Sequence, residues 1–306
     1  MSGPTPLAHR LMDAPVAGDQ GLPYAGASRA ELQARLAAAL GRRLHGLCFG
    51  AYLPGQSPEH GTRLGEAQIL ARLELVRPHT RWIRTFSCTD GNELIPGLAR
   101  RLGLKTLVGA WLGKDREKNE VELSAAIEVA RAGHADILAV GNEVLLREDL
   151  TEDELLGYLA RARAALPGVT ISYVDAYYLF VQHPRLVAAC DVLLANCYPF
   201  WEYCALEHAL AYMKEMYARV ERVAGGKRVI ISETGWPSAG TPVGAAVPSV
   251  ENALRYLLAT LDWTEAAGID LFYFAAFDEA WKAGAEGDRG VTWGLWDQDG
   301  RPKYAG

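Results

Sequence analysis

Short apolar or β-branched runs recur along the chain, spaced so that a helix fits between most neighbouring pairs. The runs are mostly continuous and do not alternate with polar residues, which is typical of parallel strands covered on both faces. The runs are 44–50, 81–86, 104–112, 136–143, 169–176, 191–199, 228–233 and 269–279. Eight β/α alternations over about 260 residues predict a single (β/α)8 TIM barrel, and a doubly wound open sheet is the alternative.

Helical periodicity occupies the intervals between these runs. The amphipathic segments are 64–77, 121–132, 151–165, 206–223 and 249–267, with shorter ones at 95–101 and 184–188. Thr151 and Glu154 form a capping-box pattern that marks the start of one helix. A helix pattern at 28–40 precedes the first strand, and we expect it to pack on the outside or bottom of the barrel. The predicted organisation is a flexible lead-in over 1–27 and one domain over 28–306, without a large extra subdomain.

Charge and hydropathy exclude two classes of partner. The 306 residues carry a formal net charge of −6 and no basic stripe, so no nucleic-acid partner is predicted. No apolar run approaches the roughly 18 residues that a transmembrane helix needs. The five cysteines lack CxxC spacing, which predicts buried thiols and neither a disulfide framework nor a zinc site. The number of subunits stays open.

The N-terminal segment 1–23 lacks the apolar core of a secretory signal and contains several prolines and glycines. The expected location is therefore cytoplasmic. A periplasmic or membrane-associated location is the alternative if a leader has been removed.

Carboxylates and aromatic rings concentrate where the predicted strands end, which in a TIM barrel is the face on which the βα loops converge. These residues are Arg84, Trp111, Asn142, Glu143, Asp175, Tyr198, Trp201, Glu233, Trp236, Asp278, Glu279 and Trp281. Flat apolar rings around an acidic cleft suit sugars, whose C–H faces stack on aromatics while their hydroxyls need polar partners. Tryptophans that only fill the core are the alternative interpretation.

Glu143 and Glu233 each end a predicted strand, in "AVGNEVL" and "IISETGW". Two carboxylates that face one site are what glycoside hydrolysis requires, one to protonate the leaving oxygen and one to attack carbon or activate water. Structural salt bridges are the alternative for each glutamate. The carboxyl group that donates the proton is expected to have a raised pKa.

Other classes of function fit the sequence less well. Lys105 and Lys227 lie at strand starts, on the wrong face for a Schiff-base enzyme, and the histidines have no HxH or HExxH spacing. Mg²⁺ held by Asp175, Glu143 and Glu233 is a minor alternative, so no metal or cofactor is predicted. A non-catalytic sugar-binding protein with the same cleft is the main alternative from another class, although it would not need paired glutamates.

Six motifs together resemble glycoside hydrolase family 17, the β-1,3-glucanase family, and its compact bacterial-type members in particular. They are "GLCFGAYLPGQSP", "VGNEVL", "NCYPFWE", "ISETGWPSAG", "FAAFDEAWK" and "WGLWDQDGRPKY", and they span residues 46–304. The resemblance implies a β/α barrel and a retaining enzyme without a metal, which acts on β-1,3-glucan through a covalent glycosyl-enzyme.

The resemblance also implies roles for residues in the matching motifs. Glu143 would be the general acid/base and Glu233 the nucleophile, while Asn142 would hold the sugar 2-hydroxyl and Tyr198 would lie beneath the nucleophile. Arg84 is a candidate partner that would keep Glu233 ionised. The remaining candidates for substrate binding are Trp111, Asp175, Trp201, Trp236, Glu279 and Lys282. Among them, Trp236 is expected to be a sugar platform.

One departure from the family bears on the reaction. The segment after "NCYPFWE" passes directly into a helix, which leaves no room for the subdomain that extends the groove in plant endoglucanases. Glucanosyl transfer to a second sugar is therefore expected at least as much as hydrolysis, since both reactions use the same two glutamates.

Overall fold

A computed structural model describes residues 21–304 of the chain. Eight parallel strands hydrogen-bond in sequence order, and the first strand pairs with the eighth, so the sheet closes into a barrel. The predicted TIM barrel is therefore confirmed, and the alternative of an open sheet is wrong.

The strands and helices agree closely with the predicted segments. The strands are β1 (Leu44–Cys48), β2 (Thr80–Arg84), β3 (Lys105–Ala110), β4 (Ile137–Asn142), β5 (Thr170–Ala176), β6 (Leu193–Asn196), β7 (Val229–Thr234) and β8 (Leu271–Tyr273). The helices in this part of the chain are α1 (Arg29–Gly41), α2 (Glu66–Val76), α3 (Ile95–Arg101), α4 (Arg116–Arg131), α5 (Glu152–Ala165), α6 (Tyr177–Gln182), α7 (Pro184–Ala189), α8 (Leu206–Val223), α9 (Val250–Ala267) and α10 (Ala283–Glu286).

The strands are continuous apolar runs because helices cover one face and the barrel interior covers the other. Every residue of β4, β6 and β7 is buried. A parallel barrel favours this pattern, since a polar residue on either face loses its hydration unless it finds a hydrogen-bond partner. The thiols of Cys48, Cys88, Cys190 and Cys197 are part of this buried interior.

Helix α1 lies on the outside of the barrel, as expected, alongside α9. Ser28 caps it through a capping box with Glu31. Exposed ion pairs join the two helices, Arg29 with Glu251 at 3.4 Å and Arg42 with Glu265 at 3.2 Å. Exposed pairs contribute little free energy, so the buried leucines of α1 account for most of the attachment.

The predicted lead-in over 1–27 falls only partly within the described chain. Residues 1–20 lie outside it. The backbone carbonyls of Pro23 and Ala27 accept hydrogen bonds from Arg255 of α9, at 3.3 Å and 3.2 Å. The Tyr24 hydroxyl donates to Asp262 of the same helix. The segment 21–27 therefore contacts the barrel through α9.

The connections at the carboxyl ends of the strands are compact. After β6 the chain reaches α8 within nine residues, 197–205, which leaves no space for an additional subdomain. After β8 the chain forms only the short helix α10 and 3-10 turns before its end returns to the barrel, where Trp296 pairs with Phe277. Along residues 21–304, no helix is both long and apolar enough to cross a bilayer.

Three register irregularities interrupt the sheet near its carboxyl ends. They fall between β4 and β5 at Asn142, between β6 and β7 at Asn196, and between β7 and β8 at Thr234. Bulges of this kind change the direction of the side chains that follow them. Asn142, Asn196 and Glu233, which lie at or beside these irregularities, consequently converge at one end of the barrel.

Candidate active site

Glu233 projects from the end of β7 into a set of donors that come from β2 and from the end of β6. Its side chain is 6% exposed. Arg84 Nη1 lies 2.5 Å from Glu233 Oε1, and the Tyr198 hydroxyl donates to Glu233 Oε2 at 2.8 Å. A charged donor and a phenol donor together fix the orientation of this buried carboxylate. The predicted pairing of Arg84 with Glu233 is confirmed.

Arg84 also connects the nucleophile candidate to the end of β4. The guanidinium is buried, and its Nη2 donates to Asn142 Oδ1 at 2.6 Å. This bond fixes the Asn142 amide with its oxygen toward Arg84, so the amide NH₂ points elsewhere in the cleft. One arginine therefore orients two of the predicted site residues.

Glu143 follows β4 in a backbone conformation that few non-glycine residues adopt. Its φ is 51°, and Gly141 two residues earlier has a φ of 94°. A Cβ on Gly141 would lie 2.9 Å from Val144, so the turn needs glycine on two grounds. Strained backbone of this kind is concentrated at functional sites, where it sets the direction of a side chain. Here it directs the Glu143 carboxyl toward β6 and β7.

The pKa of Glu143 is raised to about 7, from an ordinary value near 4.5. The largest cause is the loss of hydration in the cleft, followed by repulsion from the charges of Glu233 and Asp175. The carboxyl group is therefore substantially protonated near neutral pH. A raised pKa is what a carboxyl group that donates a proton requires.

Asn196, at the end of β6, joins the two glutamates and is absent from the residues predicted by sequence. Its amide Nδ2 donates to Glu143 Oε1 at 2.8 Å and to Glu233 Oε1 at 3.1 Å. The Ser232 hydroxyl donates to Asn196 Oδ1 at 2.8 Å and fixes the amide orientation. The two Oε1 atoms are consequently no more than about 6 Å apart.

A sequence signal for Asn196 does exist. "LLANCYP" carries a polar residue into a buried strand, and polar side chains at such positions need partners. The predicted strand extended to residue 199, whereas β6 ends at Asn196. Because the predicted end was three residues too late, the strand-end position was assigned to Tyr198.

Asp175 is not positioned to contact a substrate, and its predicted substrate-binding role is wrong. The residue is fully buried at the end of β5. Its carboxylate accepts from the Tyr173 hydroxyl and from the backbone N–H of Ala176, the latter at 2.8 Å. Burial raises its pKa to about 6. Its influence on the site is through charge, since it helps to raise the pKa of Glu143.

Trp236 is likewise a core residue, and the prediction of a sugar platform at this position is wrong. The ring is fully buried against Phe200 and Tyr256. Its indole Nε1 donates to the Val247 carbonyl at 3.0 Å. The tight turn after Glu233 directs the ring behind the strand, a direction that sequence periodicity does not specify.

Two other tryptophans lie at the face where the site is found. Trp111 follows β3 and is 43% exposed, with the Arg147 guanidinium 4.5 Å from the ring centroid. Trp201 is partly buried and packs on Trp293, with 5.5 Å between ring centroids. Trp111 in particular presents a free apolar surface beside the cleft.

Glu279 and Lys282 form an ion pair of 3.0 Å after β8, with side chains 13% and 12% exposed. Lys282 Nζ also lies 4.0 Å from the centroid of the Phe274 ring. Glu279 Oε1 would be only 2.4 Å from a Cβ at Gly50, so β1 approaches this pair closely. The pair lies in the wall beside β1 and adds a positive charge near Glu233.

Within residues 21–304, the carboxylates of the site do not form a metal centre. No group of three or more histidine, cysteine, aspartate or glutamate side chains in that range could hold a metal ion. The carboxylate of Asp175, the third member of the Mg²⁺ alternative, is occupied by its own hydrogen bonds.

A barrel that brings two glutamates together at its strand ends, one of them with a raised pKa, has the features of a glycoside hydrolase. The family profile of the BtgE/BtgC glycoside hydrolase domain matches residues 46–294. The chain therefore belongs to this family, and the resemblance to glycoside hydrolase family 17 is confirmed.

Individual relatives cover most of the chain. A glucan 1,3-beta-glucosidase of Arthroderma benhamiae is 30% identical over 256 residues, which are 76% of this chain and 81% of that protein. The glucan 1,3-beta-glucosidase BGL2 of Candida albicans is 27% identical over 286 residues, 83% and 91% of the two chains. An active-site mutant of Rhizomucor miehei beta-1,3-glucanosyltransferase, solved with laminaritriose, is 27% identical with a TM-score of 0.78, covering 87% of this chain and 98% of that one.

Proposed function

We propose that this chain is a retaining glycosidase or glucanosyltransferase that acts on β-1,3-glucan through a covalent glycosyl-enzyme. The observation that carries the proposal is the bridge from Asn196 to Glu143 and Glu233, which limits the separation of the two carboxyl groups. Retaining enzymes keep their carboxyl groups about 5–5.5 Å apart, whereas inverting enzymes need roughly 6.5–9.5 Å to admit a water molecule.

In the first step, Glu233 attacks the anomeric carbon while Glu143 donates its proton to the departing glycosidic oxygen. The C–O bond to the leaving sugar breaks as the bond to Glu233 forms. In the second step, the Glu143 carboxylate removes a proton from an incoming hydroxyl, and that oxygen displaces Glu233 from the same carbon. The sugar keeps its configuration because it is inverted twice.

Neighbouring residues prepare each glutamate for its role. Hydrogen bonds from Arg84 and Tyr198 fix the position of the Glu233 carboxylate. The Asn142 amide oxygen is occupied by Arg84, which leaves its NH₂ to bind the sugar 2-hydroxyl. The raised pKa of Glu143 supplies a proton near neutral pH.

The substrate class is supported by the relatives, which are described as acting on 1,3-β-linked glucan. The compact passage from β6 to α8 supports transfer to a second sugar as much as hydrolysis. The incoming hydroxyl is then either water or an acceptor sugar.

Product analysis of laminari-oligosaccharides by mass and linkage tests the proposal. We expect new oligosaccharides, longer than the substrate for transfer and shorter for hydrolysis, with a β-anomer as the initial product by proton NMR. Binding without any new product would instead favour a non-catalytic sugar-binding protein. An initial α-anomer would refute the retaining mechanism.

A chemical rescue experiment distinguishes the roles of the two glutamates. Glu233→Gln should abolish turnover. Glu143→Ala should retain slow cleavage of an activated aryl β-glycoside, and azide should accelerate it with formation of a β-glycosyl azide. A β-glycosyl azide from the Glu233 variant, together with an α-glycosyl azide from the Glu143 variant, would reverse the assignment.

A further inference from the structure

Glu122 is a buried carboxylate that the proposed reaction does not use. It lies on α4, is 4% exposed, and accepts hydrogen bonds from two different loops. The backbone N–H groups of Cys88 and Trp111 donate to Oε1 at 2.5 Å and 3.0 Å. The hydroxyls of Ser87 and Thr89 donate to Oε2 at 3.0 Å and 2.8 Å. One side chain thus fastens the loop after β2 to the loop after β3.

Burying the Glu122 carboxylate costs free energy. Such a cost indicates that the exact position of the two loops matters to the protein. Burial raises the pKa of Glu122, and the four donors only partly offset the loss of hydration. A carboxylate is seldom buried without a cation beside it, and no arginine or lysine contacts this one in residues 21–304. An apolar contact between the loops would join them at lower cost but would not fix individual N–H groups.

The backbone of the Trp111 loop is held at each successive residue. Glu122 accepts from the N–H of Trp111, and Arg147 donates to the Leu112 carbonyl at 2.8 Å. Asn119, one turn before Glu122 on α4, bonds both the N–H and the carbonyl of Gly113 at 2.8 Å. The loop is therefore more rigid than an exposed connection normally is.

The Trp111 ring is nevertheless one of the most exposed large apolar side chains of the described chain, at 43%. Its inner face rests on the guanidinium of Arg147, which also donates to the backbone carbonyl of Asn142. Asn142 directly precedes the acid candidate Glu143 in sequence. The open ring face therefore lies on the rim of the same cleft.

We propose that Glu122 is a positioning residue that holds Trp111 and the loop 87–89 as a rigid surface for a glucose ring remote from the cleaved bond. The inference rests on the proposed action on β-1,3-glucan. Stacking on an aromatic ring gives little affinity if the ring must first be ordered, so a pre-organised ring binds more tightly. Glu122 acts through Trp111 and does not touch the reacting atoms.

Substrates of different chain length distinguish the proposed role of Glu122 from a purely structural one. If Glu122 only stabilises the fold, its loss lowers the melting temperature and affects long and short substrates equally. If Glu122 positions Trp111, its loss raises KM only for oligosaccharides long enough to reach the rim. The value of kcat should stay unchanged, because remote uniform binding lowers KM alone.

The experiment compares laminaritriose with laminarihexaose as substrates of the full chain. Glu122→Asp withdraws the carboxylate by one methylene, and Glu122→Gln keeps an oxygen for the two N–H groups and an amide for the two hydroxyls. Trp111→Ala removes the platform itself. Glu120→Asp is the matched control, because Glu120 lies on the same helix but pairs with exposed Arg161 on the outer surface.

We expect Glu122→Asp and Trp111→Ala each to raise KM for laminarihexaose about tenfold, with KM for laminaritriose and both kcat values within about twofold of the unchanged chain. The double variant should be no worse than Trp111→Ala, since both changes act on one surface. Glu122→Gln and Glu120→Asp should behave like the unchanged chain.

Two results would overturn this inference and leave the proposed function intact. One is a normal KM for laminarihexaose in folded Glu122→Asp, and the other is an equal loss of activity on both substrates. If Glu122→Asp does not fold, a normal KM for laminarihexaose in Trp111→Ala has the same consequence. If the unchanged chain neither binds nor converts any laminari-oligosaccharide, the proposed function itself fails, and the inference fails with it.

Discussion

Replacement of Asn196 by alanine removes a side chain that hydrogen-bonds both glutamates of the site. The structure supplies the magnitude of the effect. The amide lies 2.8 Å from Glu143 and 3.1 Å from Glu233, and a hydrogen bond to a charged group contributes about 1.5–3 kcal/mol. A change of 1.36 kcal/mol is a factor of ten in rate, so kcat/KM should fall by about ten- to a hundredfold.

The same substitution also shifts the pH profile, and the direction of the shift is fixed by the structure. The Asn196 N–H favours the charged form of Glu143 and lowers its pKa, opposing the dominant effect of burial. Loss of this donor should therefore raise the pKa of Glu143 further above about 7. Because Glu143 acts as the protonated acid, the alkaline limb of kcat/KM should move to higher pH.

Initial rates on a laminari-oligosaccharide, measured by product chromatography from pH 5 to pH 9, check both effects. Ser232→Ala is the matched control, since it removes only the bond that orients the Asn196 amide and should have a smaller effect of the same sign. The reasoning would be refuted by a folded Asn196→Ala variant that keeps kcat/KM within about twofold, or by an alkaline limb that moves to lower pH.

Three further outcomes are expected. Asp175→Asn keeps the acceptor for Tyr173 but removes a charge that raises the pKa of Glu143. The alkaline limb of the kcat/KM profile should therefore move to lower pH in the same assay, and an unchanged limb would contradict this role of Asp175. Trp236→Phe should lower the free energy of unfolding in urea by about 1–3 kcal/mol without changing KM, because it breaks a buried hydrogen bond. An increase in KM would instead indicate that Trp236 contacts the sugar. Dialysis against EDTA should leave activity intact, and a loss that Mg²⁺ restores would support the carboxylate–metal alternative.

Most of the fold could be predicted because its strands are continuous apolar runs and its helices carry clear end signals. Helix α8 begins and ends where the periodicity predicts, and Thr151 caps α5 through the expected capping box. Boundaries were least accurate where polar residues enter buried strands. β6 ends at Asn196, three residues before the predicted end, because the sequence following it is also apolar and does not mark the bulge.

Within the site, position along the chain and direction of the side chain were not equally predictable. The ends of β4 and β7 correctly located Glu143 and Glu233, and the sequence also indicated Arg84 as the partner of Glu233. Trp236 and Asp175 occupy equivalent places in sequence, yet both are buried. Whether a residue at or just beyond a strand end faces the cleft or the core depends on the local backbone direction, which the sequence pattern does not specify.

By itself, the sequence determined that this chain closes a parallel barrel and carries two glutamates to the same end of it. Those features follow from local hydrophobic periodicity, which is a property of neighbouring residues along the chain. Only the tertiary structure decided that Asn196 bridges the glutamates, that Glu143 is the group with the raised pKa, and that Glu122 fastens two loops beneath Trp111. The contacts of Asn196 and Glu122 join groups from distant segments of the chain within about 3 Å, and the pKa of Glu143 depends on the burial that such segments create. No local pattern in the sequence encodes either feature.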